Sequence, residues 1–274
     1  MALTRILITV KTYPTLSAKY DELVCTAGFR EDGSWIRIYP IPFRKLDYQN
    51  QYHKWQWIEI DVVKNTSDFR PESYRPANID SSFTVGDQIG TENNWAARKS
   101  IAMNHIYTNL SELIAKAKDN NDGTSLAILK PSEVIDFVWE PCDREWDKKK
   151  LSSVEANQVQ QNLFSEEVKT LFKVVDKLPY KFSYIFKTED GIERKLMIED
   201  WELGQLFWNC LKAAKGDESI ACQNVKKKYF DYMVSKCDLH FFLGTTRQFQ
   251  NVAPNPFIII GTFYPPKTPQ LSLF

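Results

Sequence analysis

The sequence predicts a mixed α+β fold: two small β-barrels with inserted helices. Short stretches rich in β-branched and aromatic residues crowd residues 6–63, and runs with helical apolar spacing fall between strand-like runs further along. Each half also carries an Asp-Gly pair between two such stretches, Asp32-Gly33 and Asp190-Gly191. Such a pair accepts the positive φ that a tight hairpin turn demands. At 274 residues the chain can bury a sizeable core, and two small domains are expected.

Strands are expected at residues 6–10, 23–29, 35–40 and 55–63, with apolar and polar alternation in the last three. Residues 65–92 are polar and punctuated by Arg70-Pro71 and Arg75-Pro76, which reads as an ordered connecting loop. A helix is predicted over 110–118, capped by Thr108 or Asn109 and stopped by residues 120–123. Two short strands follow at 125–129 and 134–139. The charged stretch 143–150 marks the division between halves, and 152–176 reads as helical or partly disordered. The second half opens with a hairpin of residues 180–187 and 195–201, continues with helices over 201–214 and 220–235, and closes with strands at 239–243 and 257–260. The expected units are an N-terminal barrel (1–142), a C-terminal barrel with helices (143–264) and an extended tail (265–274).

Lysine plus arginine balance aspartate plus glutamate, 35 each, so the net charge is +0 and any nucleic-acid site must be a local patch. Five scattered cysteines without a C-x-x-C pair argue against a disulfide framework and a zinc site, which fits a reducing cytoplasm. The first ten residues hold only a short apolar run, unlike a signal peptide, and no stretch is long enough to span a bilayer. The phosphate-loop, dinucleotide-binding and nucleophile-elbow motifs are absent.

The chain is unusually aromatic, at 14%, and aromatics beside cations make stacking surfaces for nucleic acid. Trp35, Arg37 and Tyr39 share a face by the two-residue period, Arg44 and Lys45 follow, and Trp55 and Trp57 share a face on the next strand. Lys11 at the end of the first strand and Arg247 complete the candidate nucleic-acid set. The bland alternative is that the rings fill the barrel and Arg37 pairs with a carboxylate. Lys226-Lys227-Lys228 could contact phosphate, although a lysine run on a helix is more often a solvated face.

Glu199-Asp200-Trp201-Glu202 is the one acidic cluster at an element junction, and Asp200 and Glu202 are the catalytic candidates. They could hold Mg2+ in a metal-dependent nuclease. The structural alternative is that Asp200 caps the helix from Trp201, with Glu202 near its positive end. Glu193-Arg194-Lys195 looks only superficially like a nuclease element, and His53, His105 and His240 are too scattered for a ligand set. No other metal or cofactor is expected.

Two resemblances add to this reading. Gln270-Leu271-Ser272-Leu273-Phe274 resembles the peptide by which bacterial proteins dock on the DNA sliding clamp. In such peptides the glutamine fixes the register and the leucine and phenylalanine side chains fill a pocket, which implies a partner role for Gln270, Leu271, Leu273 and Phe274. Pro265, Pro266 and Pro269 keep the approach extended. Burying each apolar side chain is worth roughly 1.5–3 kcal/mol, enough for binding near micromolar after ordering costs. Second, Val10-Lys11-Thr12-Tyr13-Pro14, Cys25-Thr26-Ala27-Gly28, residues 35–41 and Phe242-Leu243-Gly244-Thr245-Thr246 resemble the bacterial dual OB-containing domain family. That likeness spans nearly the whole chain. It implies two OB-like barrels and a leaning towards nucleic acid, and carries no catalytic motif.

The expected function is therefore that of a protein of the bacterial cytoplasm and nucleoid that binds single-stranded or structured nucleic acid. The clamp peptide would recruit it to DNA in replication, repair or phage defence. It is not expected to be an enzyme by itself. A metal-dependent nuclease or nucleic-acid-modifying enzyme is one alternative, and a protein adaptor without nucleic-acid affinity is another.

Overall fold

The computed structural model of the protein describes residues 2–17, 21–46, 51–78, 83–163 and 173–267. The clamp-like peptide Gln270 to Phe274 and residues 164–172 lie outside the described residues.

The N-terminal half closes on its first strand. β1 (Ala2–Lys11) pairs antiparallel with β3 (Asp21–Arg30) on one side and with β5 (Gln56–Lys64) on the other. β3 turns at Asp32-Gly33, where Gly33 has a φ of 80°, into β4 (Trp35–Ile41). β4 pairs in parallel with β6 (Ser73–Pro76), and β6 pairs antiparallel with β5. The order β1-β3-β4-β6-β5 thus returns to β1 as a closed five-stranded barrel. Short strands β2 (Thr15–Ser17) and β7 (Thr84–Gln88) extend it along β3 and β5.

Residues 65–92, expected as a connecting loop, hold β6 and β7, and the barrel closes through β6. The proline that reads as punctuation, Pro76, is the last residue of β6, where a missing N–H costs the ladder little. The burial of β1 explains why its sequence does not alternate. Ile6 and Ile8 enter the barrel core with Ile36, Ile38 and Ile58, while Leu7 and Val10 pack outward against Phe242 and Ile260 of the second half. A strand buried on both faces reads as a continuous apolar run. Gly28 allows the close approach of β3 to β1, since a Cβ there would run into the Leu7 carbonyl.

The second half is a set of sheets under helices. β9 (Leu126–Leu129) lies between β8 (Ile106–Tyr107) and β13 (His240–Thr245), and β13 pairs with β14 (Phe257–Phe263). A meander of β10 (Glu133–Pro141), β11 (Tyr180–Lys187) and β12 (Glu193–Met197) forms the other sheet, with the second hairpin at Gly191 (φ 71°). The isolated bridge Ile198–Ile259 joins the two sheets. Among the described residues this bridge, and no continuous ladder, links the two sheets on that side, while β9 runs on into β10 after three residues. β9 and β10, which precede the expected division at 143, pair with β13 and β11, which follow it.

Caps set the helix starts. Asn109 accepts from the Glu112 amide at α2 (Leu110–Lys118), Asp200 from the Glu202 amide at α4 (Trp201–Ala213), and Asp217 from the Ile220 amide at α5 (Glu218–Lys226). α5 runs through a π-helical turn (Lys227–Tyr232) into a short α6 (Met233–Lys236). Their apolar faces cover a core that includes Phe137, Phe182, Tyr184, Phe207 and Phe241. Two more helices, α1 (Glu92–Ala102) and α3 (Lys148–Leu163), lie in the connecting segments. No helix among the described residues is long and apolar enough to cross a membrane.

The halves are locked by buried polar groups as well as by apolar packing. Arg37, 2% exposed, donates from Nη1 to Ser125 Oγ (2.8 Å) and from Nη2 to Ser125 O (3.0 Å) and Thr245 O (3.5 Å). Arg70 donates to the same Thr245 carbonyl at 2.6 Å and is neutralised by Asp68 at 2.6 Å. The Glu72 carboxylate accepts from Ser125 N and Oγ at 3.0 and 2.6 Å. A buried guanidinium is tolerable only with such a full set of acceptors.

Candidate nucleic-acid interface

The structure divides the residues that the sequence offers to nucleic acid. Trp35 and Arg37 do share the outward face of β4, but the second half covers that face. The Trp35 ring packs on Phe29 and Phe242, with centroids 4.1 and 5.8 Å away, and Arg37 is committed to Ser125 and Thr245. Trp55 precedes β5 and is buried against Phe242 and Phe263, while Trp57 is half-buried under Arg5. Arg44 pairs with Glu22 at 2.6 Å. Tyr39, Lys45 and Arg247 are exposed, on β4, the 3-10 turn Phe43–Lys45 and the turn after β13. Lys226 of the lysine run pairs with Asp136 at 2.5 Å, whereas Lys228 lies over the Tyr232 and Tyr264 rings.

Lys11, Trp55 and Glu202 instead come together in a cleft of about 440 Å³ between the barrel and α4, lined also by Lys54, Arg98 and Trp201. Lys11 projects from the end of β1 into an aromatic box. Its Nζ donates to Tyr52 O at 3.2 Å and lies 4.1 Å from the Phe43 ring and 5.1 Å from that of Trp201. Burial, reinforced by the Lys54 charge, pushes its ammonium down to about 8. Lys54 Nζ reaches Asp200 Oδ1 at 2.7 Å and Glu202 Oε2 at 3.3 Å. Burial disfavours the Lys54 charge, but the two carboxylates overcome this and hold it protonated. Burial raises the Asp200 carboxyl above the ordinary range despite Lys54.

Asp200 therefore does two structural jobs, capping α4 and neutralising Lys54, and its Oδ2 is buried without a hydrogen-bond partner. Glu202, about half exposed, is the carboxylate that meets solvent in the cleft. Among the described residues, no three His, Cys, Asp or Glu side chains are grouped so as to hold a metal ion. With three cations facing two carboxylates, the cleft suits a ligand that brings negative charge and a flat ring. Lys54 and Arg98 escape the sequence reading. Lys54 is hidden in the turn before β5, and Arg98 lies in α1, whose polar sequence lacks an apolar stripe.

Comparison with known families bears on the same division. Residues 107–274 match the model of a domain of unknown function, DUF8757, and residues 2–104 that of another, DUF8758. The chain belongs to the DUF8757 family. The DUF8757 segment begins beside β8 and supplies α4 with Asp200 and Glu202, whereas the DUF8758 segment supplies the barrel with Lys11 and Lys54. The cleft is built where the two segments meet. No curated protein matches the chain.

Proposed function

We propose that this protein binds nucleic acid at the cleft between barrel and α4, and that Gln270 to Phe274 hold it on DNA by docking on the bacterial sliding clamp. The observation that carries the reading is that peptide, with each anchoring position of a clamp-binding pentamer matched. Its root supports it. Pro266 bridges Cys237, Asp238 N donates to Pro265 O at 2.8 Å, and Lys267 N donates to Lys236 O at 3.3 Å. Pro266 and Lys267, the last described residues, are exposed at this anchored point.

The barrel supports the other part of the reading. Its strand order and parallel β4–β6 pair suit an OB-like barrel, a fold that binds oligonucleotides. The second half reads as a further OB-like unit through its meander and its bridge to β14. In an OB fold the second and third strands offer the usual binding face. Here those strands are β3 and β4, and their outward face carries the second half, which moves the contact to the cleft. A modest cleft affinity and a modest peptide affinity linked in one chain exceed either alone, which reconciles zero net charge with work at the nucleoid in replication, repair or phage defence.

Capture by purified sliding clamp tests the proposal. The intact chain is expected to be retained and a chain lacking Gln270 to Phe274 to be lost; equal capture of both overturns the clamp reading. A salt titration of DNA binding tests the rest, since phosphate contacts require affinity to fall steeply with salt.

A further inference from the structure

Apart from Lys215, every described non-glycine residue with positive φ borders one place. Asn93, Asn94 and Trp95 have φ of 50°, 56° and 62° at the start of α1, and Trp55 has 64° at the cleft wall. Asparagine tolerates left-handed backbone, whereas for the bulky Trp55 and Trp95 it is unfavourable. Strain of this kind persists where a fixed side-chain position is needed. The side chains so placed form one surface. The Arg98 guanidinium lies 5.0 Å from the Trp55 ring and 4.9 Å from that of Trp95, and it donates to Ile89 O from Nε (3.0 Å) and Nη2 (2.7 Å). Trp95 lies 5.3 Å from the half-buried Tyr264 ring, and Lys228 Nζ lies 5.1 Å from Tyr264 and 4.2 Å from the exposed Tyr232. With its amide oriented by hydrogen bonding, Asn94 donates to Pro266 O at 3.3 Å, tying this turn to the root of the tail.

Rings and cations thus alternate from the cleft to the tail root. Stacked bases and a tracked phosphate backbone are what such a band recognises, and stacking on it needs unpaired bases. Resting on the nucleic-acid reading above, we propose that single-stranded DNA runs from the cleft over Arg98, Trp95, Tyr264 and Lys228. Bases stack on Trp95 and Tyr264, and phosphates meet Arg98 and Lys228. Glu202 in the cleft and Glu92 at the start of α1 bring negative charge near Arg98.

Binding of an oligothymidylate and of its duplex to the full chain tests this path. Tyr264→Leu is expected to weaken single-strand binding about ten-fold. Lys228→Gln leaves the core untouched, and should reduce the salt slope by about 0.7. Phe69→Ser and Phe249→Ser, at exposed rings off the path, should bind as the parent does. The path is overturned alone if the parent protein binds the single strand and both path variants bind equally well, or if the duplex binds more tightly. No binding of any oligonucleotide by the parent overturns the path and the nucleic-acid reading together.

Discussion

Lys54 Nζ lies 2.7 Å from Asp200 Oδ1, joining the barrel to the first turn of α4 with both side chains nearly sealed from water. Removing one member of such a pair leaves the other buried and uncompensated, which costs more than the pair itself contributes. Lys54→Met is therefore expected to lower unfolding stability by about 3 kcal/mol. Adding Asp200→Asn, which keeps the helix cap, should recover a large part of that loss. Urea unfolding of the three proteins measures it, and a double variant no more stable than Lys54→Met would refute the account.

Glu202 offers a sharper separation between binding and catalysis. If the cleft receives phosphate, Glu202→Gln removes a repelling charge and should tighten oligonucleotide binding several-fold. Unfolding stability should change by less than about 1 kcal/mol, because Glu202 is half exposed and Lys54 keeps Asp200. Weaker binding in this variant would count against the charge balance drawn for the cleft.

Lys11 predicts a pH dependence. Its ammonium titrates near 8 when folded, against the ordinary 10.5, so between these values the unfolded chain holds the proton that the folded chain has lost. Stability from this group must rise with pH across that window, and its penalty is fully present below pH 8. Lys11→Met should consequently stabilise the protein below pH 8, with an advantage that shrinks towards pH 10. Unfolding curves at several pH values check the trend, and a constant or growing advantage would contradict it.

Arg37 is a structural lock in this fold. Arg37→Met should cost about 2 kcal/mol through lost buried hydrogen bonds, while oligonucleotide affinity of the folded protein stays unchanged. A variant that kept its stability and lost affinity would return Arg37 to the phosphate-contact role that its position in sequence suggests.

What the sequence conveyed depended on whether local chemistry decided the outcome. The hairpins at Gly33 and Gly191, the capped helix over 110–118 and the start of α4 at Asp200 follow from turn and cap residues that act within a few positions. β6 was missed because β4, with which it closes the barrel, lies more than thirty residues back, and Pro71 and Pro76 argue for a loop. The alternation of Trp35 and Arg37 puts both on one side of β4, but nothing local records that Ser125 and Phe242 will cover it. The cleft was half legible. Lys11, Trp55, Asp200 and Glu202 stood out as residue types, while Lys54 and Arg98 acquire meaning only once β1, α1 and α4 are brought together.

The outer wall of the barrel, with Leu7, Ala27 and Phe29, rests on Leu126, Phe242 and Ile260 of the other half. Neither family segment, produced by itself, would have anything to keep that surface dry. Separated, the two pieces should clump or be cleared by proteases; together they should melt in one calorimetric step. The two segments thus depend on each other, and any attempt to transplant one must bring its companion.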